Sequence, residues 1–169
     1  MTVFTELFQV EGPWPGRLTV SARPRGADWL EEEIQAWRRA GIDVVVSLLE
    51  PEEAADLDLE LERVHSEANG IEFRSFPIPD RSVPSPGTDT QKFLSQLDSK
   101  LSLGKNVTIH CRQGIGRAGL IAAALLIEQG LGPGEAIQRV STARHIPVPE
   151  TEEQRVWIES FAASLARKH

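Results

Sequence analysis

The chain has 169 residues, 40% of them hydrophobic and 25% charged, the composition of one soluble globular domain able to bury a substantial core. A formal net charge of −7 argues against a general nucleic-acid surface or docking on an anionic membrane, and no run approaches the roughly 18 apolar residues of a membrane-spanning helix. The single cysteine, Cys111, excludes an internal disulfide and any metal centre built on several thiolates. An N-terminus without a basic segment and apolar core implies no secretory signal, so a reducing, cytoplasmic location is expected.

After the Gly/Pro-rich Gly12-Pro13-Trp14-Pro15-Gly16, residues Arg17 to Ala22 read as a short strand. Asp28 is placed to cap a helix from Trp29 to about Ala40, with Trp29, Leu30, Ile34 and Trp37 at helical spacing and Gly41 ending it. Ile42 to Leu49 contains Val44-Val45-Val46, the continuous apolar run of a strand buried on both faces. Pro51 opens an acidic helical stretch to about Asn69, read as a solvated face, and Gly70 stops it. Ile71 to Phe76 alternates as a strand. Pro77 to Gly87 carries four prolines and reads as a loop. A helix over Thr88 to Leu103 precedes the strand Asn106 to Ile109, and Ala118 to Ile127 reads as another helix. Helices over about Gly134 to Arg144 and Glu150 to Arg167 close the chain. Trp14, Trp29, Trp37 and Trp157 are expected to pack in the core or under a lid. The pattern predicts a single α/β domain over 1–169, with a central, mostly parallel sheet of four to five strands flanked by helices.

The chemistry concentrates in His110-Cys111-Arg112-Gln113-Gly114-Ile115-Gly116-Arg117, a glycine-bearing loop between a buried strand and a helix N-terminus. Backbone N–H groups in such a loop face an anion, and a thiol at its start is favoured as thiolate, the nucleophilic form. Arg117 can hold two phosphate oxygens in a bidentate fork, and Gly114 and Gly116 let the backbone approach the ligand. His110 reads as a residue that orients the loop. The combination points to attack by Cys111 on phosphorus, which also needs an acid for the leaving group. Asp80, in Pro79-Asp80-Arg81 at the end of a strand, is either that acid or a turn-forming carboxylate; Asp89 is better explained as a helix start. Gln154 is either a water-positioning amide or a solvated first-turn residue. Arg112 and Arg81 either charge the rim or are solvated.

At these residues the chain resembles the dual-specificity branch of the protein tyrosine phosphatase superfamily. His110 through Arg117 matches that family's His-Cys-x5-Arg signature. Pro79-Asp80 matches its acid loop, 31 positions before the nucleophile, and Glu150–Gln154 resembles its glutamine-bearing segment. Arg25-Gly26-Ala27-Asp28-Trp29-Leu30 looks most like small kinase-associated-phosphatase-like and bacterial members. The resemblance implies a phosphocysteine intermediate on Cys111, Asp80 as acid and then base, and no metal or cofactor. A phosphorylated protein or peptide is the implied partner, with a phosphoinositide or other phosphomonoester, or a phosphate-binding module with weak catalysis, as the alternatives, and a monomer is expected. Serine or threonine usually follows the signature arginine; here Ala118 does, which predicts slow breakdown of the intermediate. The chain has no tyrosine with which to build a deep phosphotyrosine pocket.

Overall fold

The computed structural model describes residues 4–168. Five strands form one mixed sheet in the order β1-β2-β5-β3-β4: β1 (Phe8–Val10), β2 (Leu18–Ser21), β3 (Val44–Ser47), β4 (Glu72–Ser75) and β5 (Val107–His110). All neighbours pair in parallel except β1, which runs antiparallel to β2 at the sheet edge. The expected α/β fold, with a mostly parallel sheet of four to five strands, is therefore what forms, with five. Among the described residues, seven α-helices flank the sheet: α1 (Leu30–Arg39), α2 (Pro51–Asp56), α3 (Glu62–Ala68), α4 (Thr90–Ser102), α5 (Arg117–Glu128), α6 (Pro133–Arg144) and α7 (Glu152–Lys168).

The alternation of β3 divides the interior in two. Val44 and Val46 join the larger core with α4, α5, α6 and α7, while Val45 joins the smaller one with Leu30, Ile34 and Trp37 of α1. Helix α5 is buried from Arg117 through Ile127, and Gly119 packs it closely on Val148, where a Cβ would lie 3.1 Å from the valine side chain. Fully burying one Leu or Ile side chain contributes roughly 1.5–3 kcal/mol, so the helix that begins at the signature arginine is firmly anchored. No helix among the described residues is long and apolar enough to cross a membrane.

Three local readings are corrected. The acidic stretch from Pro51 to Asn69 is two helices rather than one, because Asp58 takes a left-handed conformation (φ 57°) and turns Leu59 into the core. Asp28 does not cap α1: Ala27–Trp29 form a 3-10 turn with Ala27 at φ 52°, and the Asp28 side chain makes no cap bond. Trp29 is about half exposed beneath the Arg25 guanidinium, 4.4 Å from its ring, whereas Trp14 and Trp37 are buried as expected and the half-buried Trp157 stacks on Phe161. Strand β1 was not anticipated, since three residues are too few to register an alternation. Asp89 does start α4, its carboxylate accepting from the Lys92 amide at 3.0 Å.

Candidate active site

Strand β5 delivers His110 and Cys111 to the C-terminal edge of the sheet, and the loop wraps back to the first turn of α5. Cys111 is 3% exposed, and its Sγ accepts a hydrogen bond from the Gly114 amide at 3.3 Å. An N–H aimed at sulfur and the N-terminus of a twelve-residue helix both direct partial positive charge at the Cys111 side chain. Gly114 sits at φ 73°, and a Cβ there would lie 2.5 Å from the Ser21 backbone, so only glycine lets the loop close against β2. Arg144, at the end of α6, grips the loop from outside: Nε donates to the Gly114 carbonyl and Nη2 to that of Gln113, each at 3.0 Å. The same guanidinium lies 4.1 Å over the Phe8 ring of β1. Burial lowers the Arg144 pKa, against the opposing charges of Cys111 and Glu6. With the Gln113 and Gly114 carbonyls held outward, the loop turns the Gly114 amide toward the sulfur. Ile115 packs against the large core, while Gln113 is exposed at the cavity mouth.

Arg117 is 2% exposed and spends both terminal nitrogens on named partners. Nη1 donates to Glu53 Oε1 at 2.7 Å and to the Ile78 carbonyl at 2.9 Å. Nη2 donates to Glu53 Oε2 at 3.0 Å and to Asp80 Oδ1 at 2.9 Å. Burial would depress the Arg117 pKa, but the Glu53 hydrogen bond and the charges of Cys111, Glu53 and Asp80 raise it instead. Glu53 is aimed by a capping box: its carboxylate accepts from the Glu50 amide at 3.1 Å at the start of α2, where Pro51 fixes the first turn. Arg112 joins the cluster, its Nε 3.0 Å from Glu53 Oε2 and 4.0 Å from Asp80 Oδ2.

Burial alone would push the Glu53 carboxyl up. Hydrogen bonds from Arg117, the Glu50 amide and Arg112 overcome it and hold the pKa at about 2. Because the folded value lies below the ordinary 4.5, this stabilisation is complete above that pH and is lost as pH falls toward 2. Glu53→Gln is accordingly expected to lower thermal stability at neutral pH and to flatten the acid limb between those two values. Thermal melts across pH check this, and parallel wild-type and variant curves would contradict it.

His110 is fully buried behind the loop. Its Nε2 lies 2.6 Å from Glu62 Oε2 and its Nδ1 3.3 Å from the Cys111 carbonyl, so neither ring nitrogen faces the thiol. Asp80 is half exposed at the tip of the proline-rich loop. Gln154 is fully buried and does not face the cavity as a free amide: Oε1 accepts from the Glu150 and Thr151 amides, and Nε2 donates to the Ser82 carbonyl at 2.9 Å. A cavity of about 180 Å³ lies over Cys111, walled by Asp80, Arg81, Arg112, Gln113, Arg117 and Glu150, with no aromatic ring among its lining residues. Both rim arginines are paired, Arg112 with Glu53 and Arg81 with Glu150 at 3.0 Å, so neither is simply solvated.

The structure thus gathers Cys111, Arg117, Asp80 and the loop residues Arg112, Gln113 and Gly116 around one cavity, with Gly114 and Ile115 outside its lining, His110 behind it and Gln154 beside it. The sequence reading missed Glu53 and Glu62, taken for parts of a solvated acidic face, and Glu150 at the cavity wall. It also missed Arg144, since an arginine ending a helix carries no signal beyond complementing the helix dipole.

The family described as "Tc-R-P: Polymorphic toxin system, DSP-PTPase phosphatase" matches residues 20–131. Protein tyrosine phosphatase type IVA 3 from Bos taurus is 27% identical over 147 residues, covering 86% of this chain and 78% of that one. Other curated relatives are matched over about half their length. The solved structure of Tk-PTP in the active form is 32% identical, with a TM-score of 0.73, covering 88% of this chain and 92% of that one. Kinase associated phosphatase carrying serine for its catalytic-site cysteine superposes with a TM-score of 0.85 at 18% identity, covering 98% of both chains. Sequence, fold and signature loop agree that the chain belongs to this DSP-PTPase family, in the dual-specificity branch of the protein tyrosine phosphatase superfamily, and is a phosphatase of that superfamily.

Proposed function

We propose that the protein hydrolyses phosphomonoesters on phosphorylated protein or peptide substrates, through a phosphocysteine on Cys111. One observation carries the reading: a buried thiol at a helix N-terminus, accepting the Gly114 amide, faces the same cavity as the Arg117 guanidinium and the Asp80 carboxyl. A substrate phosphate entering the cavity takes Arg117 Nη2 over from Asp80, which frees Asp80 to face the ester oxygen. The Cys111 thiolate forms the S–P bond as the ester P–O bond breaks, and Asp80 gives its proton to the departing oxygen. Water then attacks phosphorus, Asp80 takes its proton, and the S–P bond breaks to return the thiolate and release inorganic phosphate.

A cavity without an aromatic wall supplies no filter for a phenyl ring, which supports phosphoserine, phosphothreonine and phosphotyrosine as substrates alike. The test is an acid-quenched digest during turnover, with phosphate expected on the peptide bearing Cys111, together with a phosphopeptide panel. Specificity constants within about tenfold across the three phosphoresidues are expected, and a preference of about 100-fold for a phosphoinositide would move the substrate to the lipid class.

Ala118 is fully buried at the first turn of α5 and brings no hydroxyl toward the departing thiolate. A hydrogen bond to a charged group is worth about 1.5–3 kcal/mol, so breakdown of the phosphocysteine is expected to limit the rate. Rapid mixing with p-nitrophenyl phosphate should give a burst, and Ala118→Ser should shrink it while raising the steady-state rate about tenfold. No burst and no gain would remove this account.

A further inference from the structure

The acid loop and the phosphate loop lie 31 positions apart in sequence, and the first turn of α7 touches both. Thr151 and Gln154 form a capping box there: the Gln154 amide donates to Thr151 Oγ1 at 3.1 Å, and Gln154 Oε1 accepts from the Thr151 amide at 3.1 Å. A capping box asks only for the side-chain oxygen, so glutamate would serve it equally. Glutamine adds a donor, and in this chain the donor is used: Nε2 reaches the Ser82 carbonyl, two residues beyond Asp80. The same segment holds the loop twice more: Glu150, just ahead of the α7 cap, pairs with Arg81 at 3.0 Å, and Glu153 in the first turn accepts from the Ser82 hydroxyl at 3.1 Å. Arg81 itself is left-handed (φ 59°), a conformation that a non-glycine residue keeps only where its surroundings impose it.

Gln154 also abuts the other loop. A Cβ at Gly116 would lie 2.9 Å from Gln154 Oε1 and 3.0 Å from its Nε2, so the residue preceding Arg117 packs directly on this amide. The body of α7 rests on α5, the helix that Arg117 opens.

We infer that Gln154 is a positioning residue, setting the distance between Asp80 and the phosphate loop by capping α7 with one end of its amide and tying the acid loop with the other. The inference rests on the reading of Asp80 as the acid. It assigns Gln154 no contact with substrate or water, and it makes the acid loop preorganised in the ligand-free enzyme instead of recruited by substrate.

The test compares wild type, Gln154→Met, Asp80→Asn and the double variant on p-nitrophenyl phosphate, whose leaving group needs little protonation, and on a phosphoserine peptide, whose leaving group needs it fully. General acid catalysis contributes about 10²–10⁴-fold, and a misplaced acid forfeits part of it. Gln154→Met is expected to lose about tenfold or more in kcat on the phosphoserine peptide and less than about threefold on p-nitrophenyl phosphate. Added to Asp80→Asn it should cost nearly nothing more, while tungstate inhibition stays within about twofold of wild type. Gln154→Glu keeps the cap acceptor and removes the donor, so it should reproduce the pattern if the methionine variant fails to fold. Equal losses on both substrates, or additivity with Asp80→Asn, would overturn the inference alone. Asp80→Asn losing equally on both substrates would overturn the acid assignment, and this inference with it.

Discussion

Cys111→Ser is expected to reduce turnover by at least about 10⁴-fold while leaving oxyanion binding nearly intact. The devices around Cys111 are ones that suit an anion: the Gly114 amide at 3.3 Å, the α5 N-terminus, the Arg117 guanidinium on the same cavity and Arg144 gripping the loop. None of them removes a proton. A thiol ionises readily enough for such devices to complete the job, but a hydroxyl needs a base. The nearest imidazole cannot act as one, because His110 is turned away, its Nε2 on Glu62 and its Nδ1 on the Cys111 carbonyl. Serine should therefore sit in the same cradle as an inert hydroxyl. Steady-state kinetics and tungstate titration check both halves, and serine activity above about one per cent of wild type would remove the thiolate mechanism.

The parts of the site that were legible in the sequence are those whose geometry is local. Cys111, Gly114 and Arg117 lie within seven residues, so a strand, a loop and a helix bring them together from local sequence, and distant residues such as Arg144 and Glu53 then hold them. Asp80 was legible as a carboxyl on a stiff loop after a strand, although only the fold brings it onto Arg117. Glu53 and Glu62 were not legible, because acidic residues in a polar stretch look alike until the chain bends. The left-handed turn at Asp58 does the bending: it ends α2 with Glu53 aimed at Arg117 and starts α3 with Glu62 aimed at His110. A continuous helix over the same residues could not serve both. Gln154 was legible as a glutamine near the site, but its capping box and its tie to Ser82 depend on where α7 lands. The strands of the sheet interior were found from their apolar runs, whereas β1 owes its place to pairing with β2 and to α6 packed against it.

Arg117→Lys is expected either to lower kcat/KM by about 10³-fold or to destabilise the fold, although the charge is kept. The wild-type guanidinium meets Glu53 with two nitrogens, the Ile78 carbonyl with one of them and the cavity with the other. These partners lie in different directions, and a planar fork serves them together. An ammonium is one nitrogen at the end of a flexible stem. If it stays with Glu53, which is partly buried and held ionised, the cavity loses its cation. If it moves toward phosphate, Glu53 is left without its bidentate partner, at a cost below the roughly 3–5 kcal/mol of a fully stranded buried charge because Arg112 still donates to it. Lysine thus faces a choice that arginine does not, and both branches are measurable. The first appears as a loss in kcat with nearly wild-type melting, the second as a lower melting temperature that phosphate or tungstate cannot restore. Activity within tenfold of wild type together with an unshifted melting temperature would show that the fork is not what Arg117 contributes.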